Sequence, residues 1–168
     1  MLTLIAKLLK ALNSDDNPSQ IALAVVFAAF IGITPLASPH NIIILLVALV
    51  IRIHLPMFIL SVGLFTLVAY LIDPISHLIG LQMLQAEALQ GFWHALYNSS
   101  FWRFMAFNNS LVLGSFTLSV LLSPLLFFSA RSLIVNYREH VMTWVQKSRI
   151  AIWLKGSKLF LAYAAIEN

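Results

Sequence analysis

The residues able to do chemistry are few, and most gather at one break in an apolar stretch. Between Ile21 and Ile51 the chain is greasy except for GITPLASPHN, Gly32 to Asn41, which holds a glycine, two prolines, the hydroxyls of Thr34 and Ser38, an imidazole and an amide. His40 has two readings: a proton carrier or phosphate donor, or a hydrogen-bonded polar residue with no further duty. Pro39 suits the first turn of a helix, whose free N–H groups would face the break and favour an anion such as a lipid phosphate. Further on, Arg52 and His54 flank the end of the second apolar arm. Arg52 either snorkels toward water or holds a headgroup. Asp73-Pro74 closes the third apolar run, as a cap for the next helix or as part of a site. Gly32, Thr34, Pro35, Ser38, His40, Asn41, Arg52, His54 and Asp73 are thus the candidate headgroup-binding residues. Arg52 and Asp73 stand at opposite ends of the third run and are not expected to pair.

No catalytic set is visible. Nothing pairs a nucleophile with a base, and His77, His94 and His140 lack the spacing of metal ligands. Asp15-Asp16 could ligate a metal, but reads more simply as acidic residues near a helix start. The expectation is a protein without metal or cofactor that is not an enzyme.

A break of this kind must be held by longer elements, and composition says what they are. The chain is 61% hydrophobic and 10% charged, with a mean hydropathy of +0.92. Soluble domains are roughly half apolar and a quarter charged. An all-α integral membrane protein is expected, in one membrane domain covering 1–168. Without cysteine, disulfide and thiolate chemistry are excluded. The opening residues do not read as a secretory signal, because the lysines follow the first apolar residues. The net charge of +4 comes from residues near membrane ends, so lipid headgroups rather than nucleic acid are the expected partners.

Residues 2–12 read as an interfacial amphipathic helix, with Leu2, Ile5, Leu8, Leu9 and Leu12 beside Lys7 and Lys10. Asn17-Pro18 is a helix start, with Gln20 placed as a capping-box partner. Residues 21–51 form a broken or re-entrant hairpin. Its second arm, Ile42 to Ile51, covers roughly 15 Å as a helix, against a hydrocarbon core of about 30 Å. Residues 55–72 and 111–130 are each long enough to span, the latter kinked at Pro124. Between them 75–107 is dense in aromatics and reads as a shelf on the outer surface. Residues 131–158 carry Arg131, Arg138, Lys147, Arg149, Lys155 and Lys158 against Glu139, with an apolar stripe of Leu133, Ile134, Tyr137, Val141, Trp144 and Val145. They read as a basic amphipathic helix on the inner leaflet. The charge asymmetry places both termini in the cytoplasm. Whether the hairpin crosses fully or turns back within the bilayer stays open, and with it the number of spans.

GITPLASPHN, the short apolar arm after it, and RIHLP with Arg52 and Pro56 resemble a bacterial inner-membrane family of unknown function. That family carries a Gly-x-x-Pro break, an Arg-x-Asn-x-Pro-like turn and a later Asn-Pro. His54 stands here in place of the turn's Asn, and Asp73-Pro74 in place of the Asn-Pro. The stretch from Asn13 to Leu36 resembles a narrower subfamily encoded beside a larger envelope protein. The resemblance implies an inner-membrane location and a larger periplasmic partner; relatives joined to glycosyltransferase domains imply lipid-linked substrates. It implies no catalytic residues. The function expected is a membrane subunit of an envelope complex that binds or transfers a phospholipid or polyprenyl-phosphate headgroup. The alternatives are a structural anchor for that partner, with no substrate, and a small homo-oligomeric flippase, the latter weakened by the lack of an obvious inverted repeat.

Overall fold

A computed structural model describes residues 17–142, and every regular element among them is helical. The expected helix at 2–12, the Asp15-Asp16 pair and the part of the basic helix from residue 143 onward lie outside the described residues.

Helix α1, Pro18–Ile33, begins where expected. Asn17 Oδ1 accepts the Ser19 N–H at 2.9 Å, and Pro18 takes the first position, where its missing N–H costs nothing. It stops at Thr34, which turns extended, and Pro35 offers no N–H to continue the ladder. Helix α2, Pro39–Ile51, ends in a left-handed residue, Arg52, at φ 57° and ψ 52°. The Arg52 N–H bonds to Leu49 O at 3.2 Å and the Ile53 N–H to Ala48 O at 3.4 Å. This folds Ile53 back into a cluster with Ala24, Ala28, Ala48 and Phe58.

Helix α3, Leu55–Gln85, is capped by the His54 imidazole, whose Nδ1 accepts the Met57 N–H at 3.1 Å. It does not end at residue 72. It runs through Asp73-Pro74 and takes the first residues of the expected shelf, so Asp73 caps nothing. The proline forfeits one backbone bond, whereas stopping the helix in an apolar setting would expose several unpaired groups. Helix α6, Ser110–Asn136, starts on Asn109, whose Oδ1 accepts the N–H groups of Leu111 and Val112 at 2.9 and 3.2 Å. It passes Pro124 by a side-chain repair: the carbonyl that this proline leaves unpaired is Val120's, and Ser123 Oγ donates to it at 2.7 Å. The helix passes the expected boundary at 131 unbroken and leads into a π-helical segment, Tyr137–Met142.

The shelf reduces to a 3₁₀ turn at Glu87–Leu89 and two short helices, α4 Gln90–Tyr97 and α5 Ser100–Phe104. It folds back on α3 by capping it. Trp93 Nε1 donates to Met83 O and Gln90 Nε2 to Leu84 O, both at 2.8 Å, supplying partners for carbonyls of the last turn. Trp93 then stacks on Phe107, centroids 5.8 Å apart.

Helices α1, α3 and α6 pack against one another, while α2 touches chiefly α1. Most of what they bury is small, Ala22, Ala24, Ala28, Ala29, Ser61, Ala69, Ser76, Ser115 and Ser119, with Ile21, Ile33, Phe58 and Ile134 among the few large exceptions. What they expose is large: Ile59, Leu64, Leu67 and Leu71 on α3 and Leu121, Leu125 and Phe128 on α6; the apolar residues of α2 are mostly exposed too, Val50 by 82%. Water would not tolerate apolar patches of this extent. Helices α3 and α6 are long and apolar enough to cross a membrane, yet only 11% and 22% of their most apolar windows is buried within the molecule, so neither is the core helix of a soluble fold. Close approach replaces hydrophobic burial as the cohesive force. Where α3 crosses α6, a Cβ on Gly80 would run into the Ser110 carbonyl, and one on Gly114 into the Ser76 carbonyl. Ser76-x-x-x-Gly80 thus meets Ser110-x-x-x-Gly114. At Gly32 an added Cβ would stand 2.6 Å from Phe65 Cβ, which lets the end of α1 lie flat on α3.

Candidate functional site at the hairpin tip

The break between α1 and α2 is a tight turn that satisfies many of its own polar groups. Thr34 is buried, and its hydroxyl sits 2.7 Å from Phe30 O and 2.9 Å from Asn41 Oδ1, two acceptors for one proton. Asn41, also buried, donates through Nδ2 to Pro35 O at 3.0 Å and Leu36 O at 3.3 Å. The Ser38 N–H closes the turn on Pro35 O at 2.9 Å. One amide side chain thereby substitutes for the N–H groups that two prolines cannot supply.

The nine candidate residues do not form one site. Gly32, Thr34, Pro35 and Asp73 line a half-open cavity of about 230 Å³ at the hairpin tip, together with Ile33, Leu36, Leu111 and three residues of α3: Thr66, Ala69 and Tyr70. Asn41 stands behind the cavity wall, bonded to Thr34. Ser38 is buried at the start of α2 and makes no side-chain cap there. His40 turns toward α6: its ring meets Phe116 edge-on at 5.5 Å, and its Nε2 is buried with no hydrogen-bond partner among the described residues. Arg52 and His54 lie at the other end of α2, whose 13 residues carry them roughly 20 Å from the tip. Asp73 is 18 positions beyond Leu55 along α3, roughly 27 Å of helix, so Arg52 and Asp73 are apart as the sequence implied. Arg52 and His54 belong to the reversal and the cap described above.

Thr66, Tyr70 and Asp73 share one face of α3 at the i, i+4, i+7 spacing of a helix. That spacing, with Pro74 fixing Tyr70 as the residue whose carbonyl loses its donor, was the available signal for the cavity wall. The polar groups around the cavity are mostly acceptors. Asp73 contributes a carboxylate and makes no ion pair among the described residues. Thr66 spends its proton on Val62 O at 2.9 Å. Gly32 and Ile33 are the last residues of α1, at the negative end of its dipole. No basic side chain among the described residues lines the space. Among the described residues no three His, Cys, Asp or Glu side chains come together as metal ligands.

A family model described as an uncharacterized protein conserved in bacteria matches residues 3–142, a span that includes the turn, the cavity and the shelf. No curated protein matches the chain, and no solved structure does.

Proposed function

The chain belongs to the bacterial family DUF2062, and on that premise we propose that it is an inner-membrane subunit of an envelope complex, binding a lipid headgroup at the hairpin tip and passing it to a larger periplasmic partner. The observation that carries this reading is the cavity: a polar-edged space of about 230 Å³ walled by α3, a helix whose exposed face is largely apolar. Helices α1 and α2, with 16 and 13 residues, reach roughly 24 and 20 Å, short of a hydrocarbon core of about 30 Å. Entered from one face, arms of that length would leave the tip roughly 6–10 Å short of the far edge of the core, which supports a polar cavity sheltered from bulk water. Beyond it lie the exposed rings of Phe92, Tyr97, Phe101, Trp102 and Phe104, a belt suited to the headgroup zone and to a docked partner. Arg52, Arg131 and Arg138 sit toward the opposite end of the bundle, which supports a cytoplasmic assignment for that end and for both termini.

The test is extraction of the tagged full chain in mild detergent, with bound lipid counted by native mass spectrometry. Ala69→Leu puts bulk into the cavity wall and is expected to cut retained lipid several-fold while a larger envelope protein still co-purifies. Unchanged lipid with the partner retained would replace this reading with that of a structural anchor. Lipid movement by the purified chain alone in liposomes would point instead to a self-contained flippase.

A further inference from the structure

The chemistry of the cavity selects among headgroups, and it selects against the phosphate that the sequence suggests for the break. A site for an anion needs donors or positive charge. This one offers the Asp73 carboxylate, the end of α1 that carries negative partial charge, and the oxygens of Thr34 and Thr66, whose hydroxyl protons are taken by Phe30 O or Asn41 Oδ1 and by Val62 O. Pro74 adds one acceptor more. A helix carbonyl four residues before a proline has no N–H to bond, and here it is that of Tyr70, a lining residue. Proline, carboxylate and cavity thus coincide on one turn of α3. Asp73 is the one acidic residue of α1, α2, α3 and the Ser110–Asn136 helix, and among the described residues no basic one lines its cavity. In an apolar surround such a carboxylate calls for a cation.

We infer that the cavity binds a primary ammonium group, the Asp73 carboxylate balancing its charge while the Tyr70 carbonyl and a threonine oxygen accept its N–H bonds. Three donors on one nitrogen match acceptors arranged around one space. One carboxylate with a few neutral oxygens falls short of the roughly six or more oxygen ligands that a hard divalent cation gathers, and it lacks the nitrogen or sulfur ligands of the softer metals. The same chemistry is offered by an aminophospholipid headgroup and by a small free amine. This inference rests on the lipid-binding reading above and narrows it.

The experiment places the full chain in nanodiscs of phosphatidylcholine, whose quaternary nitrogen has no N–H, doped with phosphatidylethanolamine or phosphatidylglycerol, and counts co-ejected lipid by native mass spectrometry. The ethanolamine lipid is expected to be retained over both others by about tenfold, the worth of a charge-assisted hydrogen-bond set. Asp73→Asn is expected to erase that preference. Pro74→Ala, which restores a donor to the Tyr70 carbonyl and cannot weaken the helix, is expected to reduce it by a smaller factor. Displacement of bound lipid by free ethanolamine would identify the ammonium alone as the determinant; resistance to it would identify the lipid-linked headgroup. Equal retention of all three lipids by the wild-type chain overturns the inference without recourse to any variant. If Ala69→Leu still releases that unselective lipid, the lipid site stands and only its ammonium chemistry falls; if no lipid is retained at all, both fall together.

Discussion

At the crossing of α3 and α6 the facing residues are Ser76, Gly80, Ser110 and Gly114, and backbone lies against backbone. At the hairpin tip α1 also meets α3 through a glycine, Gly32, yet one turn further on the surfaces part around Thr34, Tyr70 and Asp73 and leave a cavity. Both regions are rich in small and polar residues within an apolar chain, but they spend them differently. Along α6, Ser115 Oγ donates to Leu111 O at 2.6 Å and Ser119 Oγ to Ser115 O at 2.8 Å, while Ser110 Oγ lies 2.7 Å from His77 Nδ1 across the crossing. These hydroxyls are taken up by protein; that of the buried Ser76 has no partner among the described residues, and its side chain serves by being small. At the tip, Asp73 and Tyr70, the residue whose carbonyl loses its donor to Pro74, line a cavity instead. In a membrane helix a small polar residue marks adhesion when a facing residue is equally small, and a site when the facing element turns away.

Breaking the adhesive region should have the largest consequence. Gly114→Leu drives a side chain into the Ser76 backbone, which has no rotamer with which to yield, and should cost about 3 kcal/mol or more, read as a fall in the thermal unfolding midpoint in detergent. If Gly114→Leu unfolds no earlier than the wild type, the crossing is not the structural keel and the contrast collapses. Asn41→Ala, at the tip, removes two donors and an acceptor from a buried turn and should cost about 2 kcal/mol. Because the turn forms the back wall of the cavity, this variant should also release bound lipid, which Gly114→Ala, if it folds, should not. The smallest effect belongs to the far end of the hairpin. His54→Ala removes the α3 cap and should cost about 1 kcal/mol, whereas His54→Asn should restore it, since an amide oxygen caps at least as well as an imidazole nitrogen. Urea titration of the three proteins in the same detergent would rank them.

The Asn that the resembled family carries at this turn is thereby explained without invoking any ligand: it occupies an N-cap, and the imidazole of His54 fills the same role through Nδ1.

Much of the framework was legible in the residues. Asn17-Pro18 announced α1, the two prolines of GITPLASPHN announced the turn, and the lengths of the apolar runs announced two long helices and a short-armed hairpin. Asp73-Pro74 misled because proline is read as a stop, a rule formed where water can satisfy the groups a broken helix exposes. The Ser76–Gly80 and Ser110–Gly114 pairs carried a readable spacing of four, but which helix meets which is a fact of three dimensions. The candidate site was half legible for the same reason. Residue types flagged Thr34 and Asp73 separately; only packing brings them to one cavity and sends His40 to Phe116 and Arg52 to the opposite end.

Arg52 is one of two non-glycine residues among those described that adopt a positive φ. A side chain in that conformation costs about 1 kcal/mol relative to glycine, so the corner after α2 places a guanidinium where the backbone alone would do better without one. Arg52→Gly therefore subtracts a charge and relieves a torsion in the same stroke. Any defect in that variant could not be blamed on a weakened scaffold, and would belong to the missing cation itself.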